Sequence, residues 1–303
     1  KHLTAFSPVH FNNMLQPPPC ADHLTPVLVH TPVYSQLSGA LSYLSDSALA
    51  PGTLVRVPLG QRDLLGVVWD AAPNPDGTRA LDPAKLRPIA AALLALPALD
   101  ANGRALISFA ASYYQRSPGE VALAAVPPQL RDMSSLQLAR KLKKTANKSA
   151  AAPADAVDTT HAATNSVVLS PDQSRAISQF NQNSGPFLLF GATGSGKTEV
   201  FLHCTAAVLA ASATAQVLVM VPEINLTPQL EALFKQRFAQ ACAADAVVSM
   251  HSGMTPAQRL SAWLAAHSGA ARIVLGTRMA VFASMPQLKL IVVDEEHDPS
   301  YKS

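Results

Sequence analysis

The stretch Gly191-Ala192-Thr193-Gly194-Ser195-Gly196-Lys197-Thr198 follows the apolar run Phe187–Phe190 and reads G-x-x-x-x-G-K-T. This is the phosphate-loop pattern, in which a strand feeds a glycine-rich turn and the turn opens a helix whose free N–H groups face an anion. Glycine permits the backbone angles and the close approach that a phosphate nest requires. Lys197 is positioned to meet the β and γ phosphates of a bound triphosphate, and the Thr198 hydroxyl to ligate magnesium. A chain with this motif is expected to build an α/β lobe with a parallel sheet.

The flanking sequence agrees. From Val167 onward, short apolar runs at 187–190, 216–221, 246–250, 272–275 and 290–293 alternate with helical patterns at 199–211, 227–239 and 255–267. Such alternation predicts a parallel sheet covered on both faces, with ligands at the C-terminal strand ends. The fifth run ends in Asp294-Glu295-Glu296-His297. An aspartate at that place suits magnesium, and a neighbouring glutamate suits polarising a water, so Asp294 is assigned to the metal and Glu295, with Lys197, to catalysis.

At 303 residues the chain has room for about two domains. Apolar residues make up 49% and charged ones 14%, yet no uninterrupted apolar run reaches the roughly 20 residues of a membrane span. Residues 1–25, ending near Gln16-Pro17-Pro18-Pro19-Cys20, read as a disordered tail and not as a signal peptide. Three widely spaced cysteines, Cys20, Cys204 and Cys242, suit reduced thiols and a cytoplasmic location. Residues 1–150 hold 14 Lys and Arg against 9 Asp and Glu, whereas residues 151–303 hold 9 against 11. A basic half beside a nucleotide-binding half is compatible with nucleic acid and equally with unrelated proteins.

Within 26–97 the runs 27–33, 53–59 and 64–69 predict strands, the last two forming a hairpin across Gly60–Asp63. Arg56 and Arg62 on that hairpin are open to two readings, solvated side chains or phosphate contacts. Pro73–Gly77 is a turn cluster, and Asp100 can cap a helix over 103–115 that ends in Tyr113-Tyr114, a pair suited to stacking on bases or to packing on a neighbouring domain. Residues 98–148 read as a helical segment whose basic end (Arg140, Lys141, Lys143, Lys144, Lys148) is either solvated or placed on a nucleic-acid backbone. Residues 149–166 are a linker by composition, and 167–303 form the nucleotide-binding lobe.

Beyond the phosphate loop and the strand-end acids, Val221–Gln229, His251-Ser252-Gly253, Gly276-Thr277-Arg278 and Asp294–Lys302 together resemble the PriA family of primosomal replication-restart helicases, in superfamily 2 of DNA helicases. The resemblance reaches the first half through Pro51–Gly60, Leu65–Val68 and Tyr113-Tyr114 followed by Gly119-Glu120-Val121. It implies an ATP- and Mg2+-dependent 3′ to 5′ helicase that binds stalled or branched forks and single-stranded DNA, working with primosome and single-strand-binding proteins. It makes Gln173 an adenine contact, places Thr227, Gln229, Thr277 and Arg278 on the DNA backbone, and puts Tyr301 at the start of a segment that couples DNA to hydrolysis. A small β-rich domain that holds a DNA 3′ end is implied for 26–97, with Ser42 and Tyr43 in its pocket, and a shortened winged-helix-like segment for 98–148.

Two departures accompany the resemblance. Leu41-Ser42-Tyr43 stands where the family carries Phe-Asp-Tyr, which exchanges a carboxylate for a hydroxyl. The sequence also stops at Ser303, without the second motor lobe, its arginine finger or the cysteine-rich zinc insertion, so it reads as a fragment. Two other function classes are weighed beside the helicase: a non-catalytic fork-binding module, and a metabolic nucleotide hydrolase indifferent to DNA.

Overall fold

The computed structural model describes residues 23–31, 39–70, 86–134, 136–142, 168–192, 194–222, 227–239, 242 and 244–302. The tail expected over 1–25 lies outside the described residues as far as residue 22, and a strand is already formed at His23. The turn at 73–77, the basic residues 143–148 and the linker 149–166 also lie outside them.

The first unit is an antiparallel sheet of β1 (His23–Val29), β2 (Leu41–Ser45), β3 (Leu54–Leu59), β4 (Arg62–Val68) and β5 (Ala91–Ala92), in the order β2-β1-β4-β3-β5. The expected hairpin is β3–β4, closed with Leu59 opposite Arg62. Strands β2 and β5 were not anticipated, being short and bounded by weak turn signals. Period-two alternation sorts the side chains: Val27, Val29, Tyr43, Val55, Val57 and Val68 fill one face, while Leu28, Leu54, Leu65 and Val67 face helices on the other. Those helices are α1 (Ala101–Tyr113), α2 (Pro118–Ala124) and α3 (Gln129–Asp132). Asp100 caps α1 as expected, its Oδ1 accepting from the Gly103 N–H at 3.3 Å. Gly119 lets α2 touch β1, since a Cβ there would stand 2.1 Å from the Val29 carbonyl oxygen.

The second unit comprises α4 (Pro171–Gln182), α5 (Lys197–Ala211), β6 (Gln216–Met220), α6 (Pro228–Arg237), β7 (Val247–Met250), α7 (Pro256–His267), β8 (Ile273–Gly276) and β9 (Leu288–Val293). Helices α2, α4, α6 and α7 share one start signal, a Ser or Thr cap followed by proline: Ser117-Pro118, Ser170-Pro171, Thr227-Pro228 and Thr255-Pro256. The hydroxyl takes an orphan N–H, and proline has none to leave unpaired. The sheet is parallel, ordered β7-β8-β6-β9. Val217, Val219, Ile273 and Leu275 pack towards α5 and α6, whereas Leu218, Met220 and Val274 pack towards α7.

Two expectations for this sheet need correction. Phe187–Phe190 is not a strand: its backbone joins no ladder, its side chains are exposed, and Phe187 packs on Phe180 of α4 with ring centroids 5.6 Å apart. Four apolar residues are too short a signal to identify a pairing partner. Coverage on both faces holds for β6 and β8 but not for β9, which turns Ile291 and Val293 outward.

Helix α7 joins the two units. The Trp263 indole N–H donates to the Ala125 carbonyl at 3.1 Å, and His267 Nε2 lies 2.8 Å from the Pro97 carbonyl. That carbonyl can only accept, so Nε2 carries the proton and Nδ1 accepts from the Ser284 hydroxyl at 2.8 Å. Burial pushes the His267 pKa below its ordinary 6.5 and outweighs the Pro97 hydrogen bond, which raises it. The unfolded state therefore binds the extra proton between the folded value and 6.5, and stability present above 6.5 is lost as pH falls through that window. Urea unfolding should accordingly weaken below pH 6.5 with a contribution of at most about 1.4 kcal/mol per pH unit, and His267→Gln should remove that contribution.

Candidate functional site

The loop expected to hold phosphate opens α5. Gly194 and Gly196 have φ of 79° and 78°, the left-handed region that glycine enters without Cβ strain. Lys197 Nζ donates to the carbonyls of Gly191 at 2.8 Å and Ala192 at 3.3 Å, and lies 3.9 Å from a carboxylate oxygen of Glu295. The loop and the end of β9 are thus brought together around one ammonium group. Thr198, in the first turn of α5, is exposed, and Thr193 lies outside the described residues.

Asp294 is fixed by its backbone, whose N–H donates to the Met220 carbonyl across from β6 at 2.8 Å. Burial, and then the neighbouring Glu295, hold its carboxyl above the ordinary value, against the opposing effect of Lys197. Both forces disfavour negative charge at this place, and a divalent cation would relieve both. Glu295 sits at φ 48°, a left-handed conformation that costs a non-glycine residue about 1–3 kcal/mol. The oxygen donors of Thr198 and Asp294 are hard ligands of the kind Mg2+ takes, and the left-handed glycine turn suits a triphosphate. The site therefore fits a Mg2+–nucleotide.

Gln173 lies against this loop, with both ends of its amide engaged. Its Oε1 accepts from the Ser170 N–H at 2.8 Å, and its Nε2 donates to the Gly196 carbonyl at 3.1 Å. A Cβ on Gly196 would stand 2.3 Å from that Nε2. Sequence reasoning foresaw a contact to adenine; the structure gives Gln173 a hold on the phosphate loop.

The residues expected at DNA divide. Thr227 caps α6, its hydroxyl accepting from the Leu230 N–H at 3.3 Å, and Gln229 is exposed in the same helix's first turn. Thr277 is buried, while Arg278 beside it is exposed and donates to the Ser300 carbonyl at 3.3 Å. Tyr301 donates to the Asp294 carbonyl at 3.0 Å, and burial together with Asp294, Asp298 and Glu295 pushes its pKa up to about 12. In the first unit, Arg62 is exposed and Ser42 is half-buried. Tyr43 does not line an open pocket: it is 4% exposed, and its hydroxyl donates to the Pro58 carbonyl at 3.2 Å. Arg56 is likewise engaged internally, donating to the carbonyls of Leu130, Arg131 and Met133, which ties β3 to the end of α3. Tyr113 and Tyr114 are 68% and 67% exposed, so they do not pack against the second unit.

Sequence reasoning missed Glu199, His203 and Arg237, which meet between α5 and α6. The i, i+4 spacing of Glu199 and His203 was legible, but Arg237 comes from another helix.

Residues 170–303 match the family model described as DEAD/DEAH box helicase, and residues 26–127 match a 3′ DNA-binding domain. The chain is similar to proteins named Replication restart protein PriA. It is 31% identical to that of Rickettsia felis over 264 residues, covering 86% of this chain and 36% of the relative. It is 45% identical to that of Haemophilus influenzae over 142 residues, 46% of this chain and 18% of the relative. With the protein of Bacillus subtilis, 45% identity extends over 116 residues, 38% of this chain and 14% of the relative. The chain spans about a third of the length of the Rickettsia felis relative it matches.

The strain at Glu295 yields an expectation opposite to most substitutions. Glu295→Gly should raise unfolding stability by about 1 kcal/mol, because it relieves a left-handed residue and lessens the charge beside Asp294. Chemical denaturation of the two proteins checks this, and a less stable variant would mean that the turn is unstrained.

Proposed function

Because this chain belongs to the PriA family of replication-restart proteins, we propose that it forms the DNA-binding and nucleotide-binding part of an ATP-dependent 3′ to 5′ helicase acting at stalled or branched forks. The supporting observation is the meeting of Lys197 with Glu295 beside Asp294, in a chain that also carries a 3′ DNA-binding domain. Helicases of this class use ATP and Mg2+. Lys197 and the turn from Gly191 to Thr198 take the phosphates, Thr198 and Asp294 the metal, and Glu295 polarises the attacking water. Gln173 holds the loop and presents an amide edge to adenine once its present hydrogen bonds rearrange.

Gln229 and Arg278, both exposed, are proposed to contact a single-strand backbone together with the N-terminus of α6 at Thr227. Thr277 supports Arg278 from its buried position, with its own N–H on the Met250 carbonyl. On the first unit, Ser42 and Arg62 are the groups available to a DNA end, while Tyr43 and Arg56 shape the sheet beneath them. Forks and single strands are the proposed substrates, and primosome and single-strand-binding proteins the proposed partners, in the cytoplasm. No helix among the described residues is long and apolar enough to cross a membrane.

A second reading, a module that binds forks and nucleotide without turnover, is favoured by one observation. The run 187–190 leading into the phosphate loop is outside the sheet, which leaves the loop less firmly anchored.

ATP turnover measured with and without forked DNA separates these readings. DNA-stimulated turnover should fall at least about 100-fold in Lys197→Ala and in Glu295→Gln, with fork binding retained. Fork binding without turnover in the wild type would favour the module, and turnover indifferent to DNA would contradict both.

A further inference from the structure

A carboxylate stands in the first turn of the helix that the phosphate loop opens. Glu199 follows Lys197 and Thr198, so it belongs to the same first turn as the residues that are to meet phosphates. An acid there favours the helix dipole but opposes the anion at the same terminus. Its charge is met by a residue from elsewhere: Arg237, in the last turn of α6, donates to Glu199 Oε1 at 2.7 Å, and His203 Nε2 lies 3.1 Å from the same oxygen. The Glu199 and Arg237 side chains are 18% and 28% exposed, so water screens the pair only in part.

The helices around this pair are held together. Phe201 of α5 stacks on Phe234 of α6, with centroids 6.3 Å apart and planes at 17°. Glu231 of α6 accepts from the Ser249 hydroxyl of β7 at 2.6 Å. Helix α6 begins at the Thr227 cap and Gln229.

We propose that Arg237 is a positioning residue that cancels the Glu199 charge beside the phosphate loop, making nucleotide affinity depend on how α6 is seated. The neutralising group and the first turn proposed for DNA belong to one rigid helix. A shift of α6 that lengthens the ion pair exposes nucleotide phosphates to an uncompensated carboxylate. By linkage, bound nucleotide in turn favours the α6 position that keeps the pair closed. The part concerning DNA rests on the function proposed above; the charge argument stands on the nucleotide site alone.

The test is equilibrium titration of the protein with a fluorescent ADP analogue, with and without a single-stranded oligonucleotide. Arg237→Gln should weaken nucleotide binding roughly 3- to 10-fold, and Arg237→Lys should restore most of it. Glu199→Gln should bind the nucleotide at least as tightly as wild type, because it leaves the Arg237 cation uncompensated, and Glu199→Gln combined with Arg237→Gln should recover wild-type affinity, which a mere loss of packing would not allow. The dependence of nucleotide affinity on the oligonucleotide should disappear in the Gln variants. A double variant as weak as Arg237→Gln overturns the charge argument, and single variants that keep the wild-type DNA dependence overturn the coupling. A wild-type protein whose nucleotide affinity ignores the oligonucleotide overturns the DNA-motor reading and the coupling with it, whereas the charge cycle measured without DNA still decides the role of Arg237.

Discussion

The ammonium group of Lys197 is the contact on which the rest of the site depends. It draws the Gly191 and Ala192 carbonyls and the Glu295 carboxylate towards one point, joining a loop from the start of α5 to the end of β9. Three carbonyl or carboxylate oxygens around one cation stand in for the arrangement a nucleotide would complete, with phosphate oxygens taking the lysine and a metal ion relieving the acids. The neighbouring features follow from that demand. Glycines adopt the left-handed turn, Asp294 is partly buried beside a second acid, and Glu295 is held in a conformation that glutamate disfavours.

The same economy of elements joins the two units. Helix α7 covers one face of the parallel sheet and also presents Trp263 and His267 to carbonyls of the first unit. A buried indole and a buried imidazole need partners for their N–H groups, and finding them across the boundary makes the joint directional as well as apolar. Gln216 does similar work inside the lobe: its amide donates to the Ala266 and Ala271 carbonyls and accepts from the Gln287 N–H, pinning the ends of α7, β8 and β9 around β6. Arg237 extends this pattern to the start of α5, where a side chain from α6 donates to Glu199.

Much of this was legible in the sequence, for stated reasons. Apolar runs found β3, β4, β6, β7, β8 and β9 to within two residues, whereas α2 and α4, which start at Ser117-Pro118 and Ser170-Pro171, were not anticipated. The loop and the strand-end acids were placed by spacing, and the structure brings Lys197 and Glu295 together. What escaped was whatever depends on a partner distant in the chain. The run 187–190 looked like a strand because its residues are apolar, but a strand is defined by its neighbour, and here none pairs with it. Arg56 and Tyr43 looked available for DNA, yet carbonyls many residues away engage them. Gln173 was assigned to a ligand, while its amide holds Gly196. Arg237 gave no local signal, because its meaning comes from Glu199 on another helix.

The central claim is that the glycine-rich loop and the acids ending β9 form a single Mg2+–nucleotide site. Calorimetric titration of ATP into the wild-type protein and into Asp294→Asn, each with and without Mg2+, tests it most directly. Mg2+ should tighten ATP binding in the wild type and have no such effect in Asp294→Asn. Equal tightening in both proteins would place the metal away from Asp294 and contradict the account.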